Sequence, residues 1–185
     1  MLVVGITGMP GAGKSEAVAI CKELGFAVFR MGNCVWEEAV KNNLKIDDEN
    51  VGRTADLFRK KYGMDIWAKK TLEKINIEKK LSKGIIIDGI RNVEEVEIFR
   101  NAFDKFVLLA IYAPRALRYK RLRKRKRKDD AEEYKKFMDR ENRELGWGIG
   151  NVIALSDIIV SNTGSIKRFR NEIRKILMNL LGKIT

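Results

Sequence analysis

Short runs of consecutive apolar residues recur along the chain, separated by longer segments in which every third or fourth residue is apolar. The runs predict five buried strands, at Leu2–Thr7, Phe26–Phe29, Gly84–Asp88, Lys105–Ala113 and Asp157–Val160. Strands that are apolar on both faces are typical of a parallel sheet covered by helices on both sides. The pattern therefore predicts a three-layer α/β fold with a five-stranded parallel sheet, with a mixed α+β fold as the alternative.

The segments between the strands have the period of amphipathic helices. Helices are predicted at Ser15–Leu24, Val93–Ala102 and Ser165–Leu181, and two charged helices precede Leu145, with a break near Asp129–Asp130.

An insertion is predicted between the second and third strands. Residues 33–82 are mostly helical there, with breaks around Lys45–Asn50 and at Gly63. This is more chain than a crossover connection needs.

Length and composition indicate a single globular domain over residues 1–185, because 45% of the residues are hydrophobic and 34% are charged. No apolar run approaches the ~18–20 residues of a membrane span, so we expect no membrane partner. Cys21 and Cys34 follow no export signal, so we expect a cytoplasmic protein in which both thiols are reduced and buried.

The positive charge of the chain is concentrated in one segment. There are 38 basic and 25 acidic residues, a net charge of +13, and ten of the basic residues lie in residues 115–128, which contain no acid. We consider three interpretations: a basic lid over residues 115–145 whose arginines close on bound phosphates, a solvated helix without a specific role, and a surface that binds RNA.

A phosphate-binding loop is the strongest motif. Residues 8–15, GMPGAGKS, match G-x-x-x-x-G-K-[ST] at every fixed position and lie between a predicted strand and a predicted helix. Glycines allow backbone N–H groups to surround a polyphosphate, with Lys14 on the β- and γ-phosphates of ATP and Ser15 on Mg²⁺. Lys14 is also predicted to be catalytic. All eight residues are predicted to bind the nucleotide: Gly8, Met9, Pro10, Gly11, Ala12, Gly13, Lys14 and Ser15.

An acidic residue ends the third predicted strand. Asp88 is followed by Gly89 and Arg91, and in phosphate-loop proteins an acid at such a strand end holds Mg²⁺, directly or through water. We predict that Asp88 is a catalytic residue and a magnesium ligand, and that Arg91 binds an acceptor phosphate. The alternative for Asp88 is an ordinary turn or helix-capping residue.

Further arginines are candidates for the site. Arg140 and Arg143 share one helix face and are predicted to be catalytic, reaching the transferring phosphoryl group, or else to form surface ion pairs with neighbouring acids. The sequence GWGIG that follows them is either a hinge or a loop. Arg53 and Arg59 in the insertion, with Arg30 before it, are candidates for binding an anionic acceptor. Four aromatic residues either stack on a base or belong to the core: Trp36, Phe58, Tyr62 and Trp67.

Several function classes are excluded or disfavoured. The chain has no histidine, which excludes a Ser-His-Asp triad, and it has no Cys/His metal cluster. It lacks the D-x-x-G and N-K-x-D motifs of switch GTPases, and it is short for an oligomeric AAA-type motor.

The order of loop, insertion, Asp-Gly-x-Arg and arginine-rich segment resembles the nucleoside monophosphate kinase superfamily. VGITGMPGAGKSEAVAICKELGF and LSDIIVSNTGSIKRFRNEI are similar to dephospho-CoA kinases, and the whole chain, including DRENREL, looks most like archaeal adenylate-kinase-related proteins. The resemblance implies a P-loop NTPase fold, MgATP at the loop, and an acceptor between the insertion and residues 88–91. Six residues match motif positions of the family: Lys14, Ser15, Asp88, Arg91, Arg140 and Arg143.

These observations together favour an ATP- and Mg²⁺-dependent phosphotransferase acting on a small nucleotide-like acceptor. One alternative is an activity like that of dephospho-CoA kinases, on a 3′-hydroxyl group. Another, of a different class, is a regulatory ATPase that binds RNA through the basic segment. The acceptor stays open, because dephospho-CoA kinases carry an acid where this chain has Met31, Gly32 and Asn33, and adenylate kinases carry a proline in the Asp-Gly motif.

Overall fold

A five-stranded parallel sheet runs through the centre of the computed structural model, which describes residues 1–78, 82–125 and 134–182. The strands are β1 (Leu2–Thr7), β2 (Ala27–Arg30), β3 (Gly84–Asp88), β4 (Phe106–Tyr112) and β5 (Ile158–Ser161). Their order is β2-β3-β1-β4-β5, and every neighbouring pair is parallel. The prediction of a three-layer α/β fold is confirmed, and each predicted strand agrees with an observed strand to within one residue at either end.

Helices cover both faces of the sheet. In the described part of the chain they are α1 (Lys14–Glu23), α2 (Met31–Lys41), α3 (Asp48–Tyr62), α4 (Ile66–Glu78), α5 (Val93–Ala102), α6 (Arg115–Arg125), α7 (Tyr134–Gly146), α8 (Ile149–Ala154) and α9 (Ile166–Gly182). The predicted helical insertion is present as α2–α4. The predicted break near Asp129–Asp130 lies outside the described residues.

Helix α8 is a difference from the sequence prediction, in which GWGIG is a hinge or a loop. Gly148 has a φ angle of 99° and precedes the first residue of α8, so the glycine starts a helix here.

The two faces of the sheet pack against different helices. Ile87 of β3 belongs to one core cluster with Trp67 and Phe99, whereas Ile86 belongs to the other with Phe169. Alternate residues of a strand point to opposite faces, and both faces are buried, which is why the strands are apolar throughout. Cys21 and Cys34 are free and buried in these clusters, as predicted.

The carboxyl ends of the parallel strands meet at one edge of the sheet. β1 continues into the loop that begins at Gly8, β3 ends at Asp88 directly beside Ile6, and Asn162 follows β5. β1 lies between β3 and β4, so the chain leaves it toward one side of the sheet and returns on the other. Open α/β sheets bind ligands in the crevice at such a point.

None of the helices within the described ranges is long and apolar enough to cross a lipid bilayer.

Candidate active site

The loop after β1 has a backbone conformation that requires glycine. Gly8, Gly11 and Gly13 have φ angles of 142°, 80° and 115°, in the region that other residues rarely adopt. A Cβ atom on Gly11 would lie 2.7 Å from the carbonyl oxygen of Arg118, and one on Gly13 would meet the side-chain amide of Asn162. The glycines of the motif thus form a tight loop packed against α6 and the end of β5.

Three side chains hold the back of this loop through its carbonyl groups. Arg118 Nη1 donates to the Pro10 carbonyl at 3.2 Å. Arg121 Nη1 and Asn162 Nδ2 donate to the Ala12 carbonyl at 3.3 Å and 2.8 Å. In a trans peptide the N–H of the next residue points away from the carbonyl. The N–H groups of Gly11 and Gly13, which follow these two carbonyls, therefore point away from the three donors, and both glycines line the cavity in front of the loop, where an anion would accept from them.

The arginines at the start of the predicted basic lid do not close on a phosphate site, as one interpretation of the sequence expected. Arg115 pairs with Glu141 of α7 at 2.6 Å, and Arg118 is buried and also pairs with Glu141. These arginines are occupied because the buried carboxylate of α7 and the carbonyls of the loop both require donors. α6 therefore supports the loop from behind in this structure, and residues 126–133 lie outside the described residues.

Lys14 lies at the N-terminus of α1 with its ammonium group over the loop. Its Nζ donates to the carbonyl oxygens of Gly8 and Met9, the latter at 3.3 Å. Burial lowers the pKa of Lys14 to about 8, against the opposing charges of Glu144 and Asp88. Polyphosphate oxygens would be stronger partners for this ammonium group than the carbonyls that it contacts here.

A cavity of about 290 Å³ in front of the loop, here called the P-loop cavity, brings Lys14, Ser15 and Asp88 together. The Asp88 carboxylate lies 3.5 Å from Nε of Arg30, and its Oδ1 is buried without a hydrogen-bond partner among the described residues. A hydroxyl and a carboxylate are hard oxygen ligands of the kind that Mg²⁺ takes. Ser15 and Asp88 therefore fit a magnesium ion that accompanies a bound nucleotide.

The protein would supply only part of the coordination of such an ion. Within residues 1–78, 82–125 and 134–182, no group of three His, Cys, Asp or Glu side chains could hold a metal. Mg²⁺ commonly takes one or two protein carboxylates and completes its shell with phosphates and water.

A second cavity, of about 390 Å³, adjoins the first between the insertion and α7. The two cavities share wall residues Gly32, Trp36, Arg91 and Arg140. We call the second one the arginine cavity, because four arginines line it: Arg59, Arg91, Arg140 and Arg143. Its volume lies in the range of sites for small molecules, ~300–1,000 Å³.

A buried acid lies between two of these arginines. Glu144 is 3.4 Å from Nε of Arg91 and 3.4 Å from Nε of Arg140, and its side chain is 4% exposed. Burial alone would raise the pKa of Glu144, but the charges of Arg91, Arg140 and Lys14 lower it to about 2. The carboxylate therefore stays ionised and orients the two arginines at the boundary of the cavities.

A second acid joins the insertion to α7. Asp48 at the start of α3 contacts Arg143 Nη2 at 2.7 Å and Arg140 Nη1 at 3.3 Å. In the sequence, Asp48 lies in a predicted break between helices and has no predicted role. This ion pair holds α3 against α7 beside the arginine cavity.

Arg59 is buried in the wall of the arginine cavity. Its Nη2 donates to Glu95 Oε1 at 2.8 Å, and its guanidinium packs 4.3 Å from the ring centroid of Trp147. Its Nε and Nη1 are buried and have no hydrogen-bond partner among the described residues. Glu95 also accepts from the backbone N–H of Arg91 at 2.7 Å, so it links this wall to the segment after β3.

Arg53 is placed away from both cavities, unlike the expectation that it binds the acceptor. Its side chain is 63% exposed and pairs with Glu49 at 3.0 Å on the outer face of α3. A guanidinium in that position is solvated and does not line the wall of either cavity.

The aromatic residues of the insertion divide into two groups. Trp67 is buried and stacks on Phe58, with centroids 5.1 Å apart, and Tyr62 packs against Phe58 at the surface. These three are packing residues. Trp36 is 45% exposed and lines both cavities.

Several residues of the site have no role in the site that the sequence predicts: Asp48, Glu95, Glu144, Trp147 and Asn162. Trp147 lies in the glycine-rich segment. Its Nε1 donates to Asp56 at 2.8 Å, and the guanidinium of Arg59 packs over its ring. A signal for Glu144 was present, because it follows Arg140 by four residues on one helix face. The sequence does not show that this face is buried.

The comparisons with known proteins identify the family. A family model described as an AAA domain matches residues 7–136. The UPF0200 protein of Thermoplasma volcanium is 44% identical over 94% of this chain and 95% of its own length. The chain belongs to the UPF0200 family. A second UPF0200 protein, from Methanothermobacter thermautotrophicus, is 42% identical over 99% of this chain and 93% of its own length. The family name states no activity, and the matched domain is of the P-loop kinase-like type.

Solved kinases share the fold of this UPF0200 protein. Shikimate kinase from Aquifex aeolicus superposes with a TM-score of 0.54 at 14% identity, covering 99% of this chain and 98% of that one. Shikimate kinase from Acinetobacter baumannii, in complex with shikimate, gives 0.61 at 14% identity over 99% and 94%. At this identity the likeness concerns the fold alone. The expectation that the chain is not an oligomeric motor rests on its length and stays a prediction.

Proposed function

We propose that this protein is a phosphotransferase that moves the γ-phosphoryl group of ATP to a small, anionic, nucleotide-like acceptor. The observation that carries the proposal is the junction of two cavities, one in front of the phosphate loop and one lined by arginines, with Arg91 and Arg140 in the walls of both. A donor phosphate and an acceptor anion held on either side of these two arginines would be adjacent.

On the donor side, the loop N–H groups and Lys14 bind the phosphates of ATP. Mg²⁺, held by Ser15 and Asp88, neutralises phosphate charge when it is bound. These groups stabilise the negative charge that shifts onto the leaving phosphate during transfer, without having to reorganise, which is how phosphoryl transfer is chiefly accelerated.

On the acceptor side, Arg91 and Arg140 hold the attacking group in line with the γ-phosphate. An acceptor oxygen forms the new bond to phosphorus, the bond to the bridging oxygen breaks, and ADP leaves with that electron pair. A phosphate acceptor needs no proton transfer. A hydroxyl acceptor gives its proton to Asp88, whose buried Oδ1 has no partner among the described residues.

The pKa of Lys14 gives a prediction for nucleotide binding. Burial lowers this pKa to about 8 in the free protein, so Lys14 is increasingly neutral above that pH. Bound phosphates favour the ammonium form and raise the pKa again. ATP affinity should therefore fall, and binding should take up a proton, as the pH rises above about 8. Calorimetric titration of MgATP in buffers of different ionisation enthalpy measures both quantities. Affinity and proton uptake that do not change across this range would contradict the prediction.

Consumption of ATP by the purified protein, measured against a panel of acceptors, tests the proposed function. The panel contains AMP, the other nucleoside monophosphates, dephospho-CoA, RNA and buffer alone. We expect consumption that depends on one small acceptor, with a phosphorylated product identified by mass spectrometry. Equally slow hydrolysis in every reaction would overturn the proposal.

A regulatory ATPase that binds RNA is the second candidate, because α6 has a charged outer face. Lys120, Arg123 and Lys124 are exposed there, whereas Arg118 and Arg121 turn inward to the loop. The basic residues 126–128 lie outside the described residues. This candidate predicts hydrolysis stimulated only by RNA and an affinity that falls steeply with salt.

A further inference from the structure

Trp36 occupies a position shared by three concave surfaces. It lies on α2 and lines the P-loop cavity, the arginine cavity and a third, open groove of about 570 Å³. The groove is formed with Asn33, Val40 and Ile46, among other residues of α2 and the segment after it. A ligand that extends out of the arginine cavity would pass over the indole ring.

The ring of Trp36 is not used for packing in the way that the other aromatic rings of the insertion are. Phe58 stacks on Trp67 and also contacts Tyr62. Trp36 is 45% exposed and makes no ring–ring or cation–ring contact within the described ranges. A large exposed aromatic ring at the edge of a binding cavity is a surface available to a ligand.

The surroundings of the ring favour an uncharged group. Glu37 pairs with Lys74, and Lys41 pairs with Glu38 at 3.0 Å, so both charged side chains of the groove have partners. Val40 and Ile46 provide apolar surface beside them. The positive charge of the site lies deeper, in the arginine cavity.

We propose that the indole of Trp36 stacks on the planar base of the acceptor, whose anionic group the arginine cavity holds. This inference rests on the proposed function and names the acceptor class as one with a heteroaromatic ring. A compact sugar acid or sugar phosphate would engage the arginines and leave the indole uncovered. Base stacking on an aromatic ring tolerates different bases, so Trp36 selects for the presence of a base.

A binding experiment tests this without requiring turnover. AMP, CMP, GMP and UMP are each compared with ribose 5-phosphate by calorimetry, with the P-loop cavity filled by a non-hydrolysable ATP analogue and Mg²⁺. We expect the best of the four to bind roughly tenfold more tightly than ribose 5-phosphate. Trp36→Ala should remove this difference without weakening ribose 5-phosphate, because the arginines hold its phosphate. Trp36→Phe should keep most of the difference.

Tyr62→Ala is the matched control, because Tyr62 is also an exposed aromatic residue of the insertion but lines neither cavity. It should behave as the wild type, and thermal unfolding should show that both variants are folded. An unchanged preference in Trp36→Ala would overturn the inference, as would a wild type that binds no nucleoside monophosphate better than ribose 5-phosphate. Binding of a nucleoside monophosphate that depends on Trp36 but is accompanied by no turnover would support the inference and contradict the proposed phosphotransferase activity.

Discussion

Lys14→Ala should lower the rate of phosphoryl transfer by about 10³-fold or more while the fold stays intact. Lys14 brings an ammonium group into the P-loop cavity, where charge moves onto the leaving phosphate during transfer. Burial lowers its pKa to about 8, so keeping the ammonium charge inside the nucleotide-free protein costs free energy. Removing it should therefore cost the fold little. The measurements are kcat with the acceptor found in the panel and the midpoint of thermal unfolding.

Lys22→Ala is the control for this variant. Lys22 is an exposed basic residue in the last turn of the same helix, α1, and its replacement should leave both turnover and the unfolding midpoint near the wild-type values. Turnover of Lys14→Ala within a few-fold of the wild type would remove the basis for the donor site. A loss shared by Lys22→Ala would point to a damaged helix.

Most of the P-loop cavity could be predicted from the sequence. Its parts are either local in the chain or brought together because the strands of the sheet are parallel. The glycine pattern of residues 8–15 specifies the loop by itself, since the left-handed φ angles of Gly8, Gly11 and Gly13 exclude most other residues. Asp88 belongs to a different strand. Parallel strands bring their carboxyl ends to one edge, so an acid at the end of β3 is expected beside the loop.

The arginine cavity was harder to predict because helix packing assembles it from distant segments. Arg53 and Arg59 are equivalent candidates in the sequence, yet only Arg59 lies with Gly52 and Ala55 on the buried face of α3. The spacing of these three residues follows the helical period and could have separated the two arginines. A guanidinium can lie on this buried face because Glu95 of α5 pairs with it. No local pattern in the sequence connects Glu95 with α3.

The acidic residues of the arginine cavity were equally hard to predict from local sequence. Glu144 and Asp48 compensate the arginines of α7, and Asp48 comes from the insertion. In the sequence, Glu144 is one of several charges on a very polar helix, so a surface ion pair is the natural expectation. Because Glu144 is buried, it is a partner of the arginines of the site, since an ionised carboxylate inside the protein must be paired with cations at short range.

Arg140→Ala and Arg143→Ala should have different kinetic effects, although the two residues share a helix face. Arg140 lines both cavities, whereas Arg143 lines only the arginine cavity among the cavities described here. Arg140 can therefore contact the phosphoryl group in transfer, and its loss should lower kcat by about 10²–10³-fold with a smaller change in the KM for ATP. Arg143 can contact only the acceptor and not the phosphoryl group in transfer, so its loss should mainly raise the KM for the acceptor.

Each variant serves as the structural control for the other, since both arginines contact Asp48. Loss of that ion pair is common to the two, whereas Arg140→Ala also removes the pair with Glu144. A difference in kcat is therefore assigned to the position of the guanidinium relative to the transferring group only when both variants unfold near the wild-type midpoint. Lys124→Ala, on the exposed face of α6, controls for a general loss of positive charge. Equal falls in kcat for Arg140→Ala and Arg143→Ala would mean that the contact between α3 and α7 governs the rate. An equal fall in Lys124→Ala would instead assign the effect to the overall field of the basic segment.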